Sequence, residues 1–445
     1  MNNHWKSDAD LKGKAKNFFE LARDSVVRDS AQLLELFSRN SFRMLGGLMF
    51  GLNEETLSSQ NELITRCIKL LGAKIAHENE IENIAWDCVQ KSLSGGEVSS
   101  DIQIIISRFI EALNAHVQQH YQYVSPNYSI RFIDTVKKLH IGPVEALLAS
   151  ELLPEISRIH TKFLWSIGSK FKMQISAPGG VSFEFPPVMW RVSLQAAQGH
   201  IEEEAIWLIN IAVSLLRLSY PSNHNYRLFP NNGEKESNPI YFSLIDKQGI
   251  SFSEAGISYG GTSIGKLYEI DNDVIKVTES PAFQDKTKAI FCASKGSLGE
   301  RFGQGLGWLS RGRQSSDRAE KFLFFFTAIE ALLSSDDKTA PVVQTISRYV
   351  AVILQDDVKL RYQLANWIKT LYATRSALVH AGKRDISNSD VNVIQHVAEN
   401  TYWVVMDRIK LATSFNEFHS SLSEASYGLH WMPKQPDVSV QPPVS

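Results

Sequence analysis

The spacing of apolar residues predicts helices over most of residues 9–122. Apolar side chains recur every three or four positions in NFFELARDSVVRDSAQLLELF and again in ISRFIEALNAHV, and this period places them on one face of a helix. The segment SLSGGEVSSD reads as a loop, in which Ser99, Ser100 or Asp101 is suited to cap the helix that follows. The chain therefore begins with a helix-rich region.

The pattern becomes mixed between about residues 126 and 192. The segments SIRFID, KMQIS and VSFEF predict short strands. The segment GPVEALLASELLPEISRIHTKFLWSI has helical spacing, with Pro154 as a bend or boundary. Beyond it, SLQAAQGHIEEEAIWLINIAVSLLRLS predicts one long apolar helix that ends at Pro221.

A third change of pattern follows this helix. The segment YPSNHNYRLFPNNGEKESNP is the most polar and turn-rich part of the chain, and it predicts a linker or a surface loop. After it, IYFSLID, GISFS and LYEIDNDVIKVTE predict a small antiparallel sheet.

Helices return from about residue 284. Four long amphipathic segments follow one another with short connections, which is the pattern of a helical bundle. The four segments are DRAEKFLFFFTAIEALLSS, PVVQTISRYVAVILQ, KLRYQLANWIKTLYATRSALVH and SDVNVIQHVAENTYWVVMDRIKLAT. The Pro-rich segment MPKQPDVSVQPPVS predicts disorder.

Together these patterns predict a mainly α fold with a small β component. We expect a helix-rich N-terminal domain at 1–192, a connecting helix and small sheet at 193–310, a helical bundle at 311–430 and a disordered tail at 431–445. A chain of 445 residues suits two or three domains.

Composition narrows the function classes. The net charge is −2, so contact with nucleic acid requires a local basic patch rather than a basic field over the whole chain. The three cysteines are scattered without a C-x-x-C pair, which favours reduced thiols and a cytoplasmic protein. The N-terminal residues have no apolar signal-peptide core, and no run of about 18 apolar residues predicts a membrane span.

Two segments carry familiar patterns that we do not interpret as functional sites. The segment GGTSIGKL has the spacing of a phosphate-binding loop and of a hydrolase nucleophile elbow, but strand-like sequence follows where both need a helix, so a hairpin turn is expected. The segment HVQQH places His116 and His120 one helical turn apart. No third ligand lies nearby, so we expect no metal site.

The third bundle segment carries the strongest candidate chemistry. Arg375 lies at the edge of its apolar face, and an unpaired guanidinium there would be costly. On the first bundle helix Glu330 lies between Phe326 and Leu333, on an apolar stripe, and Arg375 or Arg348 could pair with it. The apolar face of the third helix is expected to consist of Leu360, Leu364, Trp367, Leu371 and Leu378.

His380 follows Arg375 by five residues, and Gly382 is placed to end the helix. Residues five apart on an α-helix point about 140° apart. The two side chains therefore converge only if the helix ends first or if two copies of the helix meet in a dimer.

Basic residues surround this pair. The stretch from Lys369 to Asp385 also contains the bases Lys383 and Arg384, and its single acid is Asp385. This local positive edge suits a phosphate backbone.

The segments DRAEKFLFFFTAIEALL, ISRYVAVIL and LYATRSALVHAG resemble the HEPN superfamily, and in particular its ApeA-like branch from bacterial anti-phage and stress systems. Arg375 and His380 stand at the Arg-x(4–6)-His signature. Glu330, Arg348 and Tyr372 stand where that branch has similar residues. The resemblance covers about residues 310–415, and residues 1–190 resemble nothing we recognise.

The resemblance implies a homodimeric helical bundle whose paired motifs form a metal-independent endoribonuclease without a cofactor. His380 is then expected to handle the proton of the RNA 2′-OH or of the leaving oxygen, and Arg375 to stabilise negative charge in the transition state. Many proven nucleases of the family have Asn, Asp or His directly after the Arg. Here that residue is Ser376, a weaker polar partner for RNA.

Two functions follow from these features. In the first, the chain is a bacterial RNA-cleaving effector of anti-phage defence or a toxin, and residues 1–190 sense a phage trigger, restrain the nuclease or recruit RNA. In the second, the bundle dimerises and binds RNA or a protein without cutting, and Arg375 and Glu330 form a structural ion pair.

Overall fold

The structure, a computed structural model, describes most of the chain in separate stretches. They are residues 3–27, 42–45, 47–93, 101–159, 172–174, 182–184, 186–219, 245–246, 250–253, 256–259, 262–263, 267–334 and 342–431.

The fold is mainly α with a small β component. The α-helices of the described ranges are α1 (Ala9–Asp24), α2 (Glu54–Leu71), α3 (Glu78–Leu93), α4 (Ile102–Val117), α5 (Ala149–Ile159), α6 (Ile201–Ser219), α7 (Asn272–Glu279), α8 (Pro281–Phe291), α9 (Leu298–Gln314), α10 (Arg318–Leu333), α11 (Val342–Leu354), α12 (Val358–Ala381), α13 (Asn388–Arg408) and α14 (Phe415–Ala425). No helix in these ranges has both the length and the apolar character that crossing a bilayer requires.

The strands are short. They are β1 (Phe42–Leu45), β2 (Leu48–Gly51), β3 (Tyr121–Pro126), β4 (Ile130–Phe132), β5 (Lys138–Ile141), β6 (Val144–Leu148), β7 (Lys172–Gln174), β8 (Ser182–Glu184), β9 (Val188–Leu194), β10 (Ile245–Asp246), β11 (Ile250–Ser253), β12 (Gly256–Tyr259), β13 (Thr262–Ser263) and β14 (Tyr268–Ile270).

The chain divides into two compact units. One unit contains residues 1–123 and 193–205, and the other contains residues 124–192 and 206–445. The boundary expected at residue 192 coincides with one of these transitions. Residues 124–192, however, lie in the same unit as the bundle, and four strands form a sheet of order β3-β9-β6-β5.

The first unit is built from α1, α2, α3 and α4 around an aromatic core. Phe18 and Trp86 meet edge to face with ring centroids 5.3 Å apart, and Phe19 meets Phe109 in the same way at 5.7 Å. Asp101 caps α4, as the loop sequence predicted. The prediction of helices over most of residues 9–122 was wrong at β1 and β2, which form an antiparallel hairpin. Short apolar runs flank its turn, in which Gly47 has φ +80°.

Two assignments in the second unit were also wrong. Val144–Leu148, predicted as helix, is the central strand β6, paired antiparallel with β5 and β9 and buried on its inner face. Asn272–Glu279, predicted as strand, is helix α7, since Asp271 caps its first turn through the backbone N–H of Val274. The strand before it, β14, pairs in parallel with β4. A short apolar run has no decisive period, so tertiary packing decided both cases.

The bundle follows the predicted segments closely. Helices α10, α11, α12 and α13 cover the four amphipathic segments, and Asp317, Asp357 and Ser387 cap three of them. A further helix, α9, packs along α10, and its buried glycines admit groups from several neighbouring elements, α13 among them. A Cβ on Gly305 would lie 1.4 Å from the hydroxyl oxygen of Tyr402, which itself donates to the Ala328 carbonyl at 2.7 Å.

Charge is buried in this bundle as well. Arg313 Nε on α9 donates to Glu399 Oε1 on α13 at 2.7 Å, and both side chains are about 1% exposed. Gln395 Nε2 donates to the same oxygen at 3.0 Å. The pair ties α9 to α13 inside the bundle.

Candidate functional site

Helices α10 and α12 bring three of the predicted residues together. Arg375 Nη2 on α12 lies 3.1 Å from Glu330 Oε2 on α10. Tyr372, one turn before Arg375, donates its hydroxyl to Glu330 Oε1 at 2.6 Å. The carboxylate therefore receives one bond on each oxygen, and both come from the helix that carries the Arg/His pair.

Packing fixes the orientation of these groups. The Tyr372 ring meets Phe326 edge to face at 5.6 Å, and the Arg375 guanidinium lies 5.5 Å from the centroid of the Tyr372 ring. The side chains of Arg375 and Glu330 are 22% and 18% exposed. Such a half-buried, charge-assisted pair is held more firmly than a surface ion pair.

The electrostatics of the site keep Tyr372 neutral. Burial, the hydrogen bond to Glu330 and the negative charge of that carboxylate raise the pKa of Tyr372 to about 12, while Arg375 opposes them. The phenol is therefore a permanent donor to Glu330 at physiological pH. Arg375 Nε is buried and finds no acceptor among the described residues.

The buried face of α12 differs in part from the prediction. Leu371 and Leu378 are buried as expected, but Leu360 and Trp367 are 47% and 46% exposed. The remaining buried positions are Arg361 and Ile368. The guanidinium of the buried Arg361 donates to the Ala425 carbonyl, at the C-terminal end of α14, at 3.0 Å. Hydrophobic spacing does not encode this contact.

His380 is exposed and does not meet Arg375 within one chain. Helix α12 continues without interruption through Ala381, and Gly382 then ends it with φ +64°, in the left-handed conformation predicted for a C-terminal cap. The 140° between the two side chains is therefore retained. Of the two ways for them to converge, an early end of the helix is excluded.

The predicted basic edge is weaker than the local sequence indicated. Lys369 and Lys383 are exposed, but Arg384 forms an ion pair with Asp317, the cap of α10. Hydrogen bonds from the Glu320 and Ala319 amides and the charge of Arg384 lower the pKa of Asp317. Counting charges within one stretch missed this acid, since it lies 67 residues earlier in the chain, at the start of α10.

Arg348 is not part of the constellation. It is exposed on α11, with its guanidinium 5.5 Å from the ring centroid of Tyr349. Burial, and then the charge of Arg348, lower the pKa of His419 on α14. Arg375 alone of the two predicted arginines pairs with Glu330. Ser376, directly after Arg375, is half-buried.

The two discounted motifs do not add a site among the described residues. Thr262 and Ser263 form strand β13, and the rest of GGTSIGK lies outside the described residues. His116 Nε2 lies 2.5 Å from Glu80 Oε2 on the neighbouring helix α3. In the described ranges, no group of three or more His, Cys, Asp or Glu side chains is arranged to hold a metal.

Comparison of the chain with models of protein families, with curated proteins and with solved structures finds no match. The functional interpretation therefore rests on the residues and geometry of the chain itself.

Proposed function

We propose that the chain is a metal-independent endoribonuclease of the HEPN type that works as a homodimer, with Arg375 and His380 as its catalytic residues. The observation that carries the proposal is the Glu330–Tyr372–Arg375 constellation. It holds a guanidinium at the surface of a helical bundle, one and a half turns before an exposed histidine. A fixed cation and an imidazole that reach the same phosphate are what phosphodiester cleavage without a metal requires.

The reaction follows from these two groups. An imidazole takes the proton of the RNA 2′-OH as that oxygen forms a bond to phosphorus, and the P–O5′ bond breaks, with a proton going to the departing oxygen. The products carry a 2′,3′-cyclic phosphate and a 5′-OH. Arg375 offers the exposed part of its guanidinium to the phosphate, while Glu330 binds Nη2 and Tyr372 in turn holds Glu330.

The dimer supplies the geometry that one chain lacks. Because α12 is continuous between Arg375 and His380, we propose that Arg375 of one copy works with His380 of the second copy, and the reverse, around a two-fold axis. The exposed Lys369 and Lys383 and the half-buried Ser376 then flank the RNA backbone, with Arg384 available where its pair with Asp317 opens.

Mixing two inactive variants tests this arrangement. Arg375→Ala and His380→Ala are each expected to lose cleavage. If they exchange subunits freely, half of the dimers are mixed and each mixed dimer has one intact site of two, so activity returns to about a quarter of wild type. No recovery, with subunit exchange shown by differently tagged copies, would contradict the shared site. Cleavage by either variant alone would contradict the catalytic assignment.

We further propose a cytoplasmic role as an effector in bacterial anti-phage defence or as a toxin, with the first unit responding to a phage trigger, restraining the nuclease or recruiting RNA. A second function is favoured by one observation, the half-buried ion pair of Arg375 with Glu330. In this alternative the pair is structural, and the bundle dimerises and binds RNA or a protein without cutting. RNA that is bound but left intact, with Arg375→Ala failing to fold, supports the alternative.

A further inference from the structure

A second concentration of unusual side chains lies on the bundle where α9, α10 and α6 meet. Trp308 on α9 stacks on Phe324 of α10, with ring centroids 5.6 Å apart and planes inclined by 25°. Trp207 on α6 meets Trp308 edge to face at 5.5 Å. All three rings are half-buried, so each keeps part of a face or an edge in solvent. We call these three residues the aromatic stack.

A guanidinium already lies against this stack. The Cζ atom of Arg311 is 5.0 Å from the ring centroid of Trp207 and 5.2 Å from that of Trp308. The surface thus accommodates a flat group against two indole rings and presents a positive charge beside them. Flat groups joined by negative charges are the repeating units of a single-stranded nucleic acid, whose bases stack on aromatic side chains and whose phosphates attract arginine.

The position of the stack relates it to the proposed catalytic residues. Helices α10 and α12 run antiparallel, since Glu330 faces Arg375 and Asp317 faces Arg384. His380 lies five residues, about 7.5 Å of helix rise, beyond Arg375. It is therefore level with the part of α10 around Phe324, which is six residues, or about 9 Å, from Glu330. An RNA strand that crosses α10 at this level would lead from Arg375 and His380 to the aromatic stack.

The charges around this path are compatible with a polyanion. Arg311 lies at the stack, and Arg318 is exposed in the first turn of α10. Of the acids at the start of α10, Asp317 is paired with Arg384, whereas Glu320 accepts a hydrogen bond from the Ser315 hydroxyl at 2.8 Å and keeps its negative charge.

We infer that the aromatic stack, with Arg311, binds a base of the single-stranded RNA substrate next to the site of cleavage. This inference rests on the proposed function, because it assigns the stack to the same substrate. It makes the protein selective for unpaired RNA, whose bases can leave a duplex stack and lie on protein rings.

Binding of a strand that cannot be cleaved tests the inference directly. The probe is a short fluorescent single-stranded oligonucleotide with 2′-O-methyl sugars, and a matched strand lacks its bases. Trp308→Leu and Phe324→Leu are each expected to weaken binding of the base-bearing strand about tenfold. Wild-type protein should bind the base-free strand as weakly as these variants bind the complete one. Trp308→Phe keeps a stacking face and should bind close to wild type, which separates stacking from any loss of folding.

The matched control is Trp403→Leu, which removes a 44% exposed tryptophan from α13, and its binding should equal that of wild type. Equal binding of the base-bearing strand by wild type, Trp308→Leu and Phe324→Leu overturns the inference. Equal binding of the base-bearing and base-free strands by wild type also overturns it, and this is the outcome expected if the stack docks a protein. Cleavage of unmodified RNA is measured in parallel. If it depends on His380 while the stack variants bind normally, only the inference fails. If no cleavage depends on His380, the proposed function fails.

Discussion

At the residue scale, the unusual feature is a carboxylate that is shared by two donors from one helix. Glu330 receives the Tyr372 hydroxyl on one oxygen and the Arg375 guanidinium on the other. The arrangement fixes the arginine in one orientation while leaving its Nε without an acceptor among the described residues. Tyr372 is therefore a positioning residue, which acts on the proposed chemistry through Glu330 and Arg375.

Removing the Tyr372 hydroxyl measures this positioning. Tyr372→Phe loses a half-buried hydrogen bond to a charged acceptor, so we expect the free energy of unfolding to fall by about 1.5 kcal/mol. We also expect RNA cleavage to slow, without being abolished, since Glu330 still holds Arg375. Urea denaturation and a cleavage time course check both. Tyr362→Phe, at a 72% exposed position of the same helix, is the control and should leave both unchanged.

Wild type and Tyr372→Phe should also differ in how their stability depends on pH. The pKa of Tyr372 is raised from 10 in the unfolded chain to about 12 in the folded one. Its stabilising effect is therefore complete below pH 10 and is lost as the pH rises from 10 towards 12. The loss of stability over this range should be smaller in Tyr372→Phe than in wild type. An equal loss in the two proteins would show that the phenol is not held by Glu330.

The residues of the site were predictable to different degrees. Glu330 and Arg375 were predictable because a charge on an apolar stripe demands a partner, and either of two arginines satisfied the pattern. The pair of Arg384 with Asp317 was not, since nothing local shows which acid from a distant helix will lie beside a basic residue. The aromatic stack was missed for a related reason. Trp207, Trp308 and Phe324 come from three separate helices, and each alone resembles an ordinary core residue.

At the element scale, the long amphipathic helices of the bundle were predicted, and the short elements were predicted only in part. Four segments with several turns of 3.6-residue periodicity became α10 to α13. Val144–Leu148 and Asn272–Glu279 have too few residues to show a period, and they were assigned the wrong way round. Helix α9 also departs from sequence rules, because its many glycines disfavour a helix intrinsically. Neighbouring groups pack so closely against α9 that most of these positions leave no room for a Cβ.

The packing of α9 gives a prediction at this scale. In Gly305→Ala the new Cβ would lie 1.4 Å from Tyr402 Oη, which is buried and bonded to the Ala328 carbonyl. Despite the better helix propensity of alanine, we expect the free energy of unfolding to fall by about 3 kcal/mol, since a packed core resists insertion. Gln304→Ala, one residue earlier and exposed, should change it by less than about 0.5 kcal/mol. Chemical denaturation of both variants checks this. A Gly305→Ala protein as stable as wild type would contradict the close packing of α9 against α13.

At the scale of the whole molecule, the chain combines a helical unit of residues 1–123 and 193–205 with a larger unit that contains the bundle. All residues of the proposed site and of the aromatic stack lie in the larger unit. The composition had excluded a basic surface over the whole chain, so the contact with RNA that we propose has to be local. The continuous helix α12 makes a second copy necessary for the proposed chemistry.

The most direct test of the central claim is RNA cleavage by purified wild-type protein beside His380→Ala, with the chemistry of the RNA ends determined. We expect wild type to cleave in the presence of EDTA and to leave 2′,3′-cyclic phosphates. We expect His380→Ala to fold and dimerise normally but not to cleave. His396→Ala, which removes an exposed histidine of α13, should cleave as wild type does. Cleavage that persists in His380→Ala, or that requires Mg²⁺, would contradict the account.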